Sequence, residues 1–326
     1  MSAYQALYRK YRPQTFDDVS GQLAVTQTLK TQLMSGRMSH AYLFTGSRGT
    51  GKTSCAKILA KAVNCLNPDN GNPCNCCSAC KAIDSGSCMD VLEIDAASNN
   101  GVDNVRDLRD DAVYSPSQVK MRVYIIDEVH MLSISAFNAL LKIIEEPPEH
   151  LLFILATTEL HKVPATIKSR CQQFAFKRIL PIQIAQRLEY VSGQEGIDLT
   201  EGGAALLARL ADGGLRDGVS LLDQCASATT GELTAEQVYN CLGIAGEQTC
   251  GRMMGFVAAH DTKNALELFN RLYTEGKDLG AMLDEMACLT RDLLVLKTAG
   301  NAGITMLSGV ASDAEALELT KVLSSG

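Results

Sequence analysis

The segment Gly46-Ser47-Arg48-Gly49-Thr50-Gly51-Lys52-Thr53 constrains this chain more than any other, because glycines at that spacing before a lysine and a hydroxyl work only between a strand and a helix. The flanks meet that demand: the apolar run AYLFT precedes it, and a helical pattern from Cys55 to Val63 follows. In that setting backbone N–H groups wrap the β- and γ-phosphates of ATP at a helix N-terminus. Lys52 then spreads their charge, and Thr53 offers its hydroxyl to Mg²⁺. Chance supplies the four fixed letters in a chain this long on the order of one time in a hundred. Coincidence is rejected, and ATP binding with hydrolysis is the expectation.

A phosphate loop of this kind belongs to a parallel sheet. Apolar runs at Tyr42 to Thr45, Val91 to Ile94, Arg122 to Ile126, Leu151 to Thr157 and Phe174 to Phe176 alternate with helical patterns, which predicts an α/β domain. The run Val123 to Ile126 ends in Asp127 and Glu128, two carboxylates at the sheet's C-terminal edge, where Asp127 can hold Mg²⁺ and Glu128 can deprotonate water. Thr158 follows the next strand, and its hydroxyl is a candidate for holding that water or sensing the γ-phosphate; threonine at a strand end also arises from propensity alone. Beyond Pro181 the chain reads at helical period, with glycine breaks at Gly202-Gly203 and Gly213-Gly214. A further boundary falls near Gly243 to Gly246, before the segments FVAAHDTKNALELFNRLY and LGAMLDEMACLTRDLLVLK.

Length and composition limit the rest. At 326 residues one core is unlikely to suffice, and 46% hydrophobic with 21% charged residues describes a folded chain. The net charge of −7 excludes a uniformly basic nucleic-acid coat. The N-terminus MSAYQALYRKYRPQTF has no secretory pattern and no apolar run approaches spanning length, so a cytoplasmic protein is expected. Five cysteines (Cys65, Cys74, Cys76, Cys77, Cys80) crowd one short segment, which in a reducing compartment reads as metal ligation rather than disulfides.

Taken together, YRPQTFDDVSGQ, GSRGTGKT, IDAASNNGVDNVRDL, IDEVHMLSISAFNALLKIIEEPPEH and IKSRCQQF resemble the gamma/tau family of bacterial DNA polymerase III subunits, members of the AAA+ clamp loaders. The resemblance covers Tyr4 to about Gly243 closely. It implies an AAA+ P-loop ATPase domain over residues 1–178 with a zinc-binding insertion at about 64–82, a helical lid over 179–243, and an all-helical collar over 244–326. The tail is shorter than the family's collar and lacks a tau-type extension, so a truncated form is expected.

Carried over, the resemblance implies phosphate and Mg²⁺ roles for Lys52 and Thr53, Mg²⁺ binding by Asp127, a general base in Glu128 and a first sensor in Thr158. It adds what pattern alone does not supply: Arg216 as second sensor, Arg170 as an arginine finger for a neighbour's ATP, and Val19, within Tyr8 to Gln22, against adenine. The cysteines resemble the family's zinc insertion through Cys65, Cys74, Cys77 and Cys80, with a register using Cys76 left open. Implied partners are copies of the same subunit, delta and delta-prime type subunits, a sliding clamp and primed template DNA. In the loop that faces DNA in such proteins, Asn99, Asn100 and Gly101 replace basic residues and leave Arg106, and Asn100 or Asp103 is expected to cap the following helix. Competing readings are a non-hydrolysing scaffold subunit, a phosphotransferase, and a binding module with a vestigial ATP site. The intact loop argues against the scaffold, and Glu128 beside Asp127 favours water as acceptor.

Overall fold

The computed structural model describes residues 5–229 and 231–299. Five strands, β1 (Ala41–Thr45), β2 (Val91–Asp95), β3 (Arg122–Asp127), β4 (Leu151–Thr157) and β5 (Gln172–Ala175), form one parallel sheet in the order β2-β3-β4-β1-β5. Around it run α1 (Leu7–Lys10), α2 (Leu23–Ser35), α3 (Lys52–Asn64), α4 (Ser78–Ser85), α5 (Val102–Ala112), α6 (Ile134–Glu145) and α7 (Ala165–Lys168).

Side chains along a strand alternate between the two faces of a sheet. Tyr42, Phe44, Val123, Ile125, Leu152 and Ile154 pack with Val25 and Leu29 of α2 and Ile58 and Leu59 of α3. Leu43, Tyr124, Ile126, Phe153 and Leu155 pack with Val105 of α5 and Phe137, Leu140 and Ile144 of α6. With both faces covered, β4 is buried at every position, which is why it reads as a continuous apolar run. Register pairs Thr45 with Thr157 and Ile126 with Leu155, so β1, β3 and β4 end at one edge.

The chain continues through α8 (Pro181–Glu195), α9 (Glu201–Leu210), α10 (Leu215–Ala228), α11 (Ala235–Leu242), α12 (Glu247–Ala258), α13 (Thr262–Thr274) and α14 (Leu279–Ala299). It divides into two compact units: one runs to Ile184 and takes in Ala211–Val219, and the other comprises Ala185–Leu210 and the chain from Ser220 on. In the second unit Cys250, Met253 and Met254 of α12, Leu268 and Leu272 of α13 and Met282 and Leu289 of α14 form an apolar core. Residues 300–326, the end of the expected collar, lie outside the described residues. No described helix is long and apolar enough to cross a membrane.

Several sequence expectations are corrected. The last strand starts and ends earlier than Phe174 to Phe176, because Gln172 pairs with Tyr42 while Phe176 lies beyond the strand. The phosphate-loop helix begins at Lys52 instead of Cys55. Gly202 and Gly203 lie inside α9; a Cβ at Gly203 would sit 2.4 Å from the Leu233 carbonyl oxygen, so glycine serves a close approach there and not a break. FVAAHDTKNALELFNRLY is split, since Asp261 caps α13 by accepting from the Asn264 amide. Neither Asn100 nor Asp103 caps α5: the cap position is Gly101, and Asp103, inside the helix, pairs with Arg106 at 3.0 Å.

A buried ion pair ties the helices of the second unit. Arg209 in α9 donates to Glu285 of α14 at 2.7 Å and to the Tyr239 hydroxyl of α11 at 2.8 Å, and the Glu285 side chain is only 6% exposed. Removing one partner of such a pair strands the other charge in a low-dielectric site. Arg209→Ala is therefore expected to destabilise this unit by about 3–5 kcal/mol, measured by denaturant titration, with most of the loss recovered in Arg209→Ala/Glu285→Leu. An unchanged midpoint in the single variant would contradict the account.

Candidate nucleotide and metal sites

Between Thr45 and Lys52 the chain turns from strand to helix through backbone that few residues tolerate. Gly46 has φ 144°, and a Cβ there would lie 2.3 Å from the Phe176 carbonyl oxygen, so a side chain is excluded on both counts. Thr50 closes the loop by donating its hydroxyl to the Ser47 carbonyl at 2.8 Å. The Lys52 ammonium, 5% exposed, donates to the carbonyls of Gly46 at 2.7 Å and Ser47 at 2.8 Å. Burial holds its pKa below the usual lysine range, against the opposing pull of the Glu128 and Asp127 carboxylates. Ser47 and Arg48 are exposed at the loop's tip.

The sheet edge brings the acids to this loop. Thr53 donates its hydroxyl to Asp127 Oδ2 at 2.7 Å, and the Glu128 amide donates to Asp127 Oδ1 at 3.0 Å. A hydroxyl and a carboxylate so close, at the start of a helix and beside a lysine, are a donor set suited to Mg²⁺ carrying phosphate oxygens. Glu128 adopts a left-handed conformation (φ 47°), which turns its side chain back over the edge. Its Oε2 accepts from both the Thr158 amide at 3.1 Å and the Thr158 hydroxyl at 2.9 Å. Thr158 is thus assembled with Glu128, as its place at the strand end allows.

His130, not singled out from the sequence, belongs to this cluster. Its ring is 6% exposed; Nδ1 lies 3.3 Å from Glu128 Oε2 and 3.0 Å from Thr157 Oγ1, and Nε2 lies 3.4 Å from Glu159. The available signal was its position two residues after Glu128, on a turn that has to fold back over the sheet edge.

A third group closes on the loop. Val19 Cγ1 lies 3.6 Å from where a Cβ at Gly51 would stand. Gln22, buried and not singled out from sequence, brackets Lys177 by accepting from its amide at 3.1 Å and donating to its carbonyl at 2.7 Å. Gly214 approaches Gly49 so closely that a Cβ at Gly49 would be 2.9 Å from its Cα. Two residues on, the Arg216 guanidinium stacks 5.0 Å from the centre of the Tyr8 ring. Arg170 stands apart from these residues. It donates to the Thr166 carbonyl at 2.9 Å and pairs with Glu145 at 2.6 Å, half-exposed, and none of these partners belongs to the phosphate loop.

The cysteine insertion forms its own site. The sulfurs of Cys65, Cys74, Cys77 and Cys80 all lie within 4.8 Å of one another, while Cys76 is exposed and outside the group. A tetrahedral thiolate site with metal–sulfur bonds of about 2.3 Å needs sulfurs roughly 3.8 Å apart, so the donor set fits a four-coordinate soft metal. Amides of Cys74, Cys77 and Cys80 point at the sulfurs of Cys65, Cys74 and Cys77 at 3.2, 3.4 and 3.5 Å. The Cys76 and Cys77 amides bring the Cys74 thiol down to about 6, whereas burial pushes Cys80 up. The register through Cys77 is the one assembled.

Comparison with known proteins identifies the family. Family models match along the chain: DNA polymerase III, delta subunit, over residues 21–179; the DNA polymerase III clamp loader subunit ATPase lid domain over 183–231; and domain III of DNA polymerase III subunits gamma and tau over 233–325. The chain is 52% identical to DNA polymerase III subunit tau of Bacillus subtilis over 297 residues, covering 91% of this chain and 53% of the relative. It is 42% identical to the tau subunit of Escherichia coli over 295 residues, covering 90% and 46%. It thus spans about half the length of these relatives. With DNA polymerase III subunit gamma of Buchnera aphidicola it shares 41% identity over 283 residues, 87% of this chain and 78% of the relative. Among solved structures, the Thermotoga maritima RuvB Holliday junction branch migration motor superposes with a TM-score of 0.54 at 16% identity, covering 78% of this chain and 80% of that one, which shows a common AAA+ P-loop fold. With 41% identity sustained over more than three quarters of a gamma subunit, and family models matched from residue 21 to residue 325, the chain belongs to the gamma/tau family of bacterial DNA polymerase III subunits.

Proposed function

We propose that this chain is an ATP-hydrolysing motor subunit of a DNA polymerase III clamp loader, which opens a sliding clamp and sets it on primed template DNA. The observation that carries the reading is one cluster at the sheet edge, where Thr53 bonds Asp127 at 2.7 Å and Thr158 bonds Glu128 at 2.9 Å beside the phosphate loop. Membership of the gamma/tau family supports it.

In this reading the amides from Gly46 to Gly51 and the Lys52 ammonium take the phosphates of ATP, and Val19 lies against adenine. A Mg²⁺ ion held through Thr53 and Asp127 supplies charge neutralisation at the β- and γ-phosphates. Glu128 takes the proton of the attacking water through Oε1, since the bonds described for its carboxylate end on Oε2. Thr158 holds that carboxylate in place and reports on the γ-phosphate. Arg216 reaches the γ-phosphate on leaving the Tyr8 ring, and Arg170 exchanges Glu145 for the ATP of a neighbouring subunit. ATP binding stabilises the clamp-binding state and hydrolysis releases it.

Cys65, Cys74, Cys77 and Cys80 hold a structural zinc, because four thiolates close the shell and leave no position for water. The domains follow as residues 1–178, 179–243 and 244–326, and the partners are copies of this subunit, delta and delta-prime type subunits, the clamp and primed DNA, all in the cytoplasm.

Glu128→Gln is expected to keep ATP affinity and abolish turnover, because the amide preserves shape without basicity; turnover equal to the parent's would remove Glu128 from the mechanism. Elemental analysis of metal-replete protein should give one zinc per chain, lost in Cys77→Ser with local destabilisation only, and zinc-free parent protein would refute the site. Arg170→Ala should bind ATP normally but lower hydrolysis in the assembled complex by about 10³ to 10⁵. Mixing it with Lys52→Ala chains should restore turnover at some interfaces. No recovery despite co-assembly, or a lost basal rate in the isolated subunit, would assign Arg170 a role in its own site.

A further inference from the structure

Lys61 is a lysine on the phosphate-loop helix whose side chain is 1% exposed, and the chemistry described so far does not use it. Its ammonium has three protons to donate, and three separate segments accept them. Gln14 Oε1 lies at 2.6 Å, Asn75 Oδ1 at 2.7 Å and Asp84 at 3.0 Å. Gln14 belongs to the N-terminal strap that leads into Val19. Asn75 sits between the metal-site cysteines Cys74 and Cys77 in a left-handed conformation (φ 56°), and Asp84 lies on α4, the helix that carries Cys80.

The contact is one of a set. Asn75 also donates to the Gln14 carbonyl at 3.3 Å. Asn72 donates to Asp17 at 2.7 Å and accepts from the Phe16 amide at 2.9 Å. Gly71 lies against the backbone of Lys30, whose ammonium pairs with Asp17 at 2.8 Å. The Asn75 and Asn72 bonds join the cysteine insertion directly to residues 14–17, Lys61 joins the helix beneath it to Gln14, and Lys30 of α2 links Gly71 to Asp17. On either side of that stretch the strap carries Val19 beside Gly51 of the phosphate loop, Arg12 on Ser54 of the loop helix at 3.2 Å, and Tyr8 beneath Arg216.

We propose that the cysteine insertion, through Lys61, Asn72 and Asn75, is a buckle that fastens the N-terminal strap in its nucleotide-facing position, so that metal binding by the four thiolates governs ATP affinity. This rests on the reading of the phosphate loop as an ATP site. The logic is positional. A four-thiolate metal site fixes the Cys74–Cys77 turn, that turn presents the Asn75 side chain, and Lys61 joins it to Gln14. Lys61 is a positioning residue: its influence falls on how firmly nucleotide is held and leaves the Glu128 step alone.

The test compares the parent chain, Lys61→Met, Gln14→Ala and zinc-chelated parent by amide hydrogen exchange over residues 8–22 and by ATP binding and turnover. Gln14→Ala cuts the same network from the exposed side, so it is informative even where Lys61→Met fails to fold. Both variants and the chelated protein should exchange about tenfold faster in the strap, as expected for losing hydrogen bonds to a charged group. They should raise the KM for ATP by about the same factor with kcat unchanged. Lys61→Met should also lose zinc to a chelator faster than the parent. Parent-like exchange and KM in Gln14→Ala, or a strap unaffected by chelation, would overturn the buckle. A parent chain that binds no ATP would overturn the nucleotide reading and the affinity claim, while strap exchange still decides the mechanical one.

Discussion

The parallel register of β1, β3 and β4 is the constraint on which the rest depends. Hydrogen bonding fixes Thr45 opposite Thr157 and Ile126 opposite Leu155, and thereby fixes where the three strands stop. Whatever follows each strand emerges at one edge: the phosphate loop after β1, Glu128 after β3, Thr158 after β4. A slip of one residue in any pairing would exchange the side chains packed on α2 and α3 for those packed on α5 and α6, so close packing on both faces enforces the alignment. The precision of the site is inherited from a core that contains none of its residues.

The two faces of the sheet are not equivalent in what they support. The face packed against α2 and α3 carries the loop helix, and α3 in turn carries Lys61 and with it the cysteine insertion and the strap. The opposite face, with α5 and α6, carries the turn that follows β3 and holds His130 against Glu128. The phosphate loop and the Glu128 carboxylate are therefore braced from different layers, and the Thr53–Asp127 bond joins them.

Much of this was legible in the chain itself because it is local. The phosphate loop, the strand ending in Asp127 and Glu128, and the cysteine spacing each occupy a few consecutive residues whose types are dictated by one job. Arg216 and Arg170 were not legible by pattern, since a lone arginine is most often a solvated charge and only the family resemblance singled them out. His130, Gln22 and Lys61 escaped notice for another reason. Each acquires its role from partners far away in sequence, such as Lys177 for Gln22 and Gln14 for Lys61. Gly203 was misread in the opposite direction: a glycine in a helix looks like a break until the Leu233 carbonyl that passes over it is known.

The left-handed backbone at Glu128 has a cost, about 1–3 kcal/mol for a side chain outside glycine. The strand end is held like a bent spring by the bonds at both ends of the carboxylate segment: its amide on Asp127, its side chain on Thr158. Natural variation at this position therefore faces opposed pressures. Glycine would relax the backbone and make the protein sturdier, while erasing the group that the bend exists to aim. On the role proposed for Glu128, a screen for thermostability alone would drift toward inactive sequences here, which makes residue 128 a place where heat resistance and turnover are to be selected together.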